Sequence, residues 1–341
     1  RHTAYHETNV QQVGVRLGKT TSIAEIRLQT QVLEMPPVVV YGARPLIDPT
    51  TPTTGGTLQR SSFENIPTER SYRSIITLLP QANASFFNDE TNVNGATGYE
   101  NMYYVDGINV TEPIDHRTST NLPYNFVKDI EVKTGGYEAE YRSSLGGIVN
   151  VVSHSGTNEF HGQIFGFYMN NQLQGTPRLG VAEPETGDFT QYDVGLSLGG
   201  PIVRDKLWFY GAYNPSLSEE QVDIPGTGFH LDKTATHVFS GKLDWKATSK
   251  TRVALTVTGD PSSRDAVGVT FGSPGATAVA FENPDPYLAR VETGGVNLFA
   301  KGTHLFNDNV FLEASLSGIT RKIFMEGLTE RGRNDILYID G

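Results

Sequence analysis

Eight histidines are the first residues to test for chemistry. His154 and His161 flank a turn-rich stretch with no carboxylate at metal-ligand spacing, and His2 and His6 lie where no helical periodicity would align them. The chain has no cysteine, which removes disulfides, thiolate metal sites and a thiol nucleophile together. No Gly-x-Ser-x-Gly elbow and no Walker loop occurs. The paired carboxylates Glu219-Glu220 sit in a polar stretch and read as a solvated face. The sequence therefore offers no catalytic residue, no metal site and no cofactor site. It does offer hydrogen bonding: residues 85–99 and 111–124 are rich in Asn, Thr and Tyr.

Those segments need elements to hold them. Ser71–Leu79 carries apolar Tyr72, Ile75, Ile76 and Leu79 at helical spacing and stops at Pro80. Met102–Val105, Ile108–Val110, Asp129–Lys133 and Gly147–Val152 read as short strands, with Asp106-Gly107 and Gly135-Gly136 at turns between them. Residues 46–155 thus predict a small α+β domain.

From about Asn158 the pattern changes. Strands are expected near 158–170, 190–200, 206–214, 236–247, 250–260, 294–306 and 309–322. In one, Phe239, Gly241, Leu243 and Trp245 alternate with Ser240, Lys242, Asp244 and Lys246. In the last, Val310, Leu312, Ala314, Leu316 and Gly318 alternate with Glu313, Ser315 and Ser317. Period two gives each strand one apolar and one polar face. The segment 206–214 is apolar on both parities, so its faces stay unassigned. Short connections alternate with long ones at 171–189, 215–235 and 261–293, which sorts the turns to one rim and the loops to the other. The strands run about ten residues, the length that crosses a bilayer at a tilt. A soluble β-sandwich also has many alternating strands, but shorter ones whose loops do not sort by length.

Composition agrees. Apolar residues make up 37% of 341 residues, yet Gly (36), Tyr (15) and Phe (17) are plentiful. That combination suits β-structure wetted on one side. No apolar run reaches the roughly 18 residues of a membrane helix, a limit that says nothing of barrels. A net charge of −11 argues against a nucleic-acid partner. The chain opens at Arg1 within strand-like sequence and shows no signal peptide, so an N-terminal part is expected to be missing.

Here a family resemblance enters. Tyr103–Pro113 (YYVDGINVTEP) resembles a stretch of the plug domain of TonB-dependent transporters. Val127–Gly162 resembles the plug's closing motif and the entry into the first barrel strand: a strand, Gly135-Gly136, the pair Tyr141-Arg142, then Gly146-Gly147 through Asn150. Gly199–Tyr213 is similar to the second turn and third strand of the Oar-like branch. One departure is visible, since Ser153-His154 stand where many relatives have Thr-Lys.

The resemblance implies a membrane β-barrel, of which this chain holds the first seven or so of about 22 strands, with an N-terminal α+β plug. Residues 1–33 resemble the end of a carboxypeptidase regulatory-like β-sandwich. Residues 34–57 would be a TonB-box segment and linker, 58–157 the plug, and 158–341 the incomplete barrel. Pro37, Val38, Val39, Val40 and Tyr41 resemble the TonB box, where prolines keep the chain extended and valines favour a strand that adds to TonB's sheet. The implied localisation is the Gram-negative outer membrane, and the implied partners are TonB, outer-membrane lipid and an unidentified substrate, with no nucleic acid. The asparagines of Asn83-Ala84-Ser85 and Asn109-Val110-Thr111 are then chance matches to a glycosylation pattern. Substrate would meet Asn88, Asn92, Asn94, Tyr99, His116, Arg117 and Tyr124. Arg142 with Glu131, Glu138 or Glu140 would form plug–wall ion pairs. The implied function is plug-gated transport. Alternatives are a barrel for secretion or surface assembly, and a soluble glycan-binding β-protein.

Overall fold

The computed structural model describes residues 52–64, 66, 70–85, 90–112, 116–138, 141, 144–173, 175, 187–224, 228–267, 288–307 and 309–334. The segment read as regulatory-like, Pro37–Tyr41, Asn88, Glu140 and Arg142 lie outside these residues.

A small α+β unit comes first. It runs β1 (Thr54–Gln59), α1 (Arg60–Phe63), α2 (Tyr72–Ile76), β2 (Ala82–Ala84), β3 (Thr91–Val93), β4 (Met102–Val105), β5 (Ile108–Asn109), β6 (Val127–Gly135) and β7 (Ile148–Ser153). Five strands form one sheet in the order β1-β6-β7-β4-β5, with β4 parallel to β7 and the other pairs antiparallel. The helix read over Ser71–Leu79 is shorter than its periodicity. Ser71 caps it by accepting from Arg73 N, and after Ile76 the backbone tightens into i→i+3 bonds at Leu78 and Leu79 before Pro80. The apolar side of α2 still does what the spacing predicts: Tyr72, Ile75 and Ile76 are fully buried with Phe63, Phe126, Ile130 and Val149.

The sheet also takes in residues read as linker. Thr54–Gln59 pairs along its length with Asp129–Gly135 of β6. Gly55 is there for close approach rather than slack. Its φ is +153°, and a Cβ on it would lie 2.1 Å from Val132 O. The boundary expected at 57 therefore falls inside a strand, because glycine and threonine next to prolines have the composition of a linker.

The second sheet is a wall of long antiparallel strands: β8 (His161–Asn170), β9 (Phe189–Val203), β10 (Leu207–Ile224), β11 (Gly228–Lys246), β12 (Thr251–Gly259), β15 (Gly295–Asn307) and β16 (Val310–Arg321). They lie in the order β16-β15-β12-β11-β10-β9-β8. Three short strands, β13 (Ser262–Val267), β14 (Leu288–Thr293) and β17 (Phe324–Gly327), extend the sheet beyond the long-connection rim from the upper half of β11. A short helix, α3 (Glu330–Asn334), follows β17.

One of the expected long loops, 215–235, is largely strand, and the described ends of another are strand as well, at Ser262–Val267 and Leu288–Thr293. β10 and β11 stay in register through residues 215–224 and 228–235, with Glu219 opposite Lys233 and joined to it at 2.9 Å. A 19-residue strand is about 60 Å long at ~3.3 Å per residue, far more than an apolar band about 25 Å tall requires at any common tilt. The upper hairpin therefore projects past that band.

The faces of the wall are opposite to those of a soluble sheet. Outward-facing Ile164 is 85% exposed and Leu298 59%, and Leu196, Leu243 and Leu255 are exposed as well. Inward-facing Asp193, Asn214, Ser240, Thr256, Thr258 and Asn297 are buried. Segment 206–214 is apolar on both parities because it meets two apolar neighbours. Phe209 and Tyr213 face out, while Tyr210 and Ala212 are buried in the core cluster of the small unit. Among the described residues, no helix is long and apolar enough to cross a membrane.

Candidate functional site

The small unit sits against the polar inner face of the wall, so the candidate site is the boundary between them. The Asp-Gly motif lies on it. Asp106 and Gly107 both have positive φ (+52° and +81°) and form the two-residue turn joining β4 to β5, the geometry of a type I′ hairpin. The Asp106 carboxylate accepts from Ser153 N at 3.0 Å and from Ser153 Oγ at 2.7 Å. It also pairs with Lys242 Nζ of β11 at 3.1 Å, with both side chains nearly buried. One side chain thus ends β7 and ties the small unit to the wall.

The other motif residues hold the small unit together. Gly136 has φ +62°, and a Cβ there would meet Pro52 O at 2.2 Å. Gly135 lies beside Thr54. Gly146 fits under Asn101, and Gly147 N donates to Asn101 Oδ1 at 2.8 Å. The Tyr141 hydroxyl accepts from Lys133, whose ammonium lies 4.3 Å from its ring centre. Asn150 lies in β7 between Tyr104 and Glu131, with its Oδ1 buried and without a hydrogen-bond partner.

Of the residues expected to make ion pairs across the boundary, Arg142 and Glu140 lie outside the described residues, and Glu138 can be followed. Glu138 pairs with Lys133 inside the small unit rather than with the wall. Wall contacts come instead from Arg70–Asp193 (2.8 Å), Lys242–Asp106, and Arg321–Glu112 (3.4 Å). Arg70 also donates to Asn125 Oδ1, and its guanidinium carbon lies 4.0 Å from the Phe167 ring centre and 4.7 Å from that of Phe165. Higher on the wall, Asn121 N donates to Asp260 Oδ2 at 2.9 Å, Asn297 donates to Ser119 O and Thr120 Oγ1, and Arg321 donates to Thr118 O. Sequence reasoning missed these wall residues, although parity marks several of them. Lys242 and Asp244 are the polar face of strand 236–247, and that face turns inward.

Between the small unit and β11, β12, β15 and β16 lies a cavity of about 620 Å³. Its lining includes Asp106, Asn150, Lys242, Ala254, Lys301 and Glu313.

The comparisons agree with this geometry. Residues 152–223 match the family model "Outer membrane beta barrel domain". The chain is 29% identical to the TonB-dependent transporter Oar of Myxococcus xanthus, over 89% of this chain and 33% of that protein. The chain is a homologue of the TonB-dependent transporters. It is also 24% identical to the probable TonB-dependent siderophore receptor PirA of Acinetobacter baumannii, over 59% of this chain and 28% of that one. The outer-membrane transporter YddB of Escherichia coli superposes with a TM-score of 0.62 at 12% identity, covering 77% of this chain and 38% of that one. The chain therefore spans about a third of the length of the curated relatives it matches. Its fold is that of a TonB-dependent outer-membrane barrel with a plug, and its place is the Gram-negative outer membrane. The exposed outer face of the wall then lies against lipid, which removes the soluble alternative.

Within this plug, the candidate ligand contacts divide. Arg117 Nη2 donates to Tyr99 OH at 3.0 Å, and His116 lies beside it in loop 112–121 with φ +55°. Asn92 and Asn94 serve local structure: Asn92 accepts from Gly98 N, and Asn94 donates to Thr134 O. Tyr124 stands with the Arg70 anchor, edge-on to Phe63.

The Ser153-His154 departure has a physical partner. Arg60 Nη1 lies 3.0 Å from His154 Nε2, and Arg60 Nη2 donates to Gln163 of β8. Guanidinium only donates, so Nε2 is the acceptor and the ring is neutral. Burial, and then Arg60, push the ring's pKa down from 6.5 to about 4. The folded state thus binds this proton less tightly than the unfolded chain. The ring's contribution is complete above pH 6.5 and is lost as pH falls towards 4. Denaturant midpoints measured between those limits are expected to fall in the parent protein, with a flatter slope in His154→Gln. Equal slopes would remove His154 as the source.

Proposed function

We infer that this chain is the plug and first wall strands of a transporter that carries a polar solute across the outer membrane and is driven through TonB. The observation that carries the reading is the plug itself. A folded α+β unit, fixed by nearly buried ion pairs to the inner face of a lipid-facing wall, blocks the lumen and must be moved for anything to pass. The outer membrane has no ATP supply, so that movement needs an external source of work. Residues 37–41, ahead of the plug, have the extended, β-branched character for strand addition to TonB. Tyr99, His116 and Arg117 form the candidate ligand contact at the plug apex. Their donors suit a ligand rich in oxygen acceptors.

Strand addition depends on main-chain N–H groups, and proline removes one and fixes φ. Val39→Pro is expected to abolish capture of the intact protein by the periplasmic domain of TonB, whereas Val39→Thr should leave it intact. Undiminished capture of the proline variant would refute the role of this segment.

A further inference from the structure

The two rims of the wall treat their charges differently. At the long-connection rim, Lys233, Arg264 and Arg290 on β11, β13 and β14 pair with Glu219, Asp232 and Asp265. The short-turn rim has no such match. The turn between β9 and β10 carries Arg204 and Lys206, β11 ends on Lys246, and the turn into β12 carries Lys250, with Arg252 just beyond it. None of these five side chains has a carboxylate partner among the described residues. Lys250 donates to a main-chain oxygen, that of Phe306. The acid in the same turn, Asp205, is held by Asn158, which donates to its carboxylate at 2.6 Å and accepts from its N–H at 3.0 Å. The exposed Glu159 precedes β8, away from the β11–β12 turn.

The register makes this arrangement costly. Lys246 lies directly opposite Arg252, and its N–H donates to Lys206 O at 2.7 Å, so three cations stand side by side on adjoining segments. Like charges in directly opposed positions repel. An anion between them removes that cost, and four of the five side chains are exposed to receive one. Their height is that of a headgroup layer. Trp245, the residue before Lys246, faces outward and is 51% exposed, the setting of an interfacial aromatic ring. Short turns of outer-membrane barrels face the periplasm, so the layer at this height is the inner leaflet. The wall ends within these turns, and the long stems of Lys and Arg can reach round its edge to the lipid side.

We propose that the short-turn rim of β9–β12 binds the headgroups of anionic phospholipids in the inner leaflet, whose phosphates supply the counter-charge that the chain lacks there. Guanidinium and ammonium groups together suit phosphate oxygens. A zwitterionic headgroup brings its own ammonium to the phosphate and gains less. Lipid is favoured over a soluble acidic partner because the cations adjoin a face that already lies against lipid.

The full-length protein is reconstituted in phosphatidylcholine vesicles with a trace of spin-labelled phosphatidylglycerol or spin-labelled phosphatidylcholine. Electron paramagnetic resonance reads the motionally restricted fraction of each label. The parent is expected to hold phosphatidylglycerol several-fold more than phosphatidylcholine, and less so as salt is raised. The variant Arg204→Gln, Lys206→Gln, Lys246→Gln, Lys250→Gln, Arg252→Gln should lose the preference. Lys233→Gln with Arg290→Gln, at the other rim, should keep it. If the fivefold variant does not insert, Lys246→Gln with Arg252→Gln is read in its place and should lose part of the preference. No preference in the parent, an unchanged preference in the short-turn variants, or an equal loss in the other-rim control overturns the proposal. So does displacement by soluble glycerol phosphate, which would make the ligand a free phosphate.

Discussion

Arg70→Ala is expected to destabilise the docked plug by about 3–5 kcal/mol, the usual cost of removing one partner of a buried ion pair. Asp193 is 10% exposed at its side chain and would keep only its hydrogen bond from Asn214. The guanidinium is also a packing element. It lies against Phe165 and Phe167 of β8, so its loss opens a gap between two rings as well as stranding a charge. Burial alone would lower the pKa of Arg70, and the Asp193 carboxylate opposes that shift. The two residues depend on each other, which gives the prediction its control. Arg70→Met combined with Asp193→Leu should recover most of the loss, because a well-packed apolar pair needs no desolvated charge. Arg70→Lys should recover less, since an ammonium neither stacks on both rings nor reaches Asn125 in the same geometry. The measurement is denaturation in detergent followed by protease protection of residues 60–127. A double variant no more stable than the single one would show that packing, not charge, holds this flank.

Much of this anchor was hidden in the sequence for a reason that applies along the wall. Alternation in strand 236–247 revealed two faces but not which one met lipid, because an amphipathic strand reads the same in a sandwich and in a barrel. The plug motifs settled the direction. Once the plug is placed inside, Lys242, Asp244 and Glu313 become inward residues by parity alone. Arg70 could not be found that way, since it lies between elements and no period predicts its direction. Segment 206–214 failed for the converse reason: lipid on one side and the plug core on the other make both parities apolar. The hairpin over 215–235 looked like loop because its strands project past the apolar band, and cross-strand charges such as Glu219–Lys233 replace the hydrophobic signal. The strand at Thr54–Gln59 was masked by two glycines that serve close approach, Gly55 to Val132 and Gly56 to Leu79. The short strands β4 and β7 were legible because they are apolar and bounded by obligatory turns.

The Asp106 turn gives the second large effect, and it separates stability from gating. Asp106→Ala removes two hydrogen bonds to Ser153, leaves Lys242 9% exposed without that carboxylate, and places alanine at φ +52°. A stranded charge of this kind costs about 3–5 kcal/mol, and a left-handed alanine adds roughly another 1. Asp106→Asn should cost less, because asparagine tolerates that φ and can still accept from Ser153 N. Asp106→Asn with Lys242→Met removes the charge pair while sparing the turn, so it should restore most of the stability. It should not restore closure, because the pair also spans the plug and the wall beside the cavity. Cells carrying the double variant are therefore expected to admit large polar antibiotics that the outer membrane normally excludes, with a folded plug shown by protease protection. Cells carrying the Arg70→Met, Asp193→Leu protein should stay resistant, since the flank they alter is closed by rings and not by a charge pair next to a void. Equal sensitivity of the two would mean that either flank can leak, and that the plug depends on its whole perimeter rather than on the side where the cavity lies.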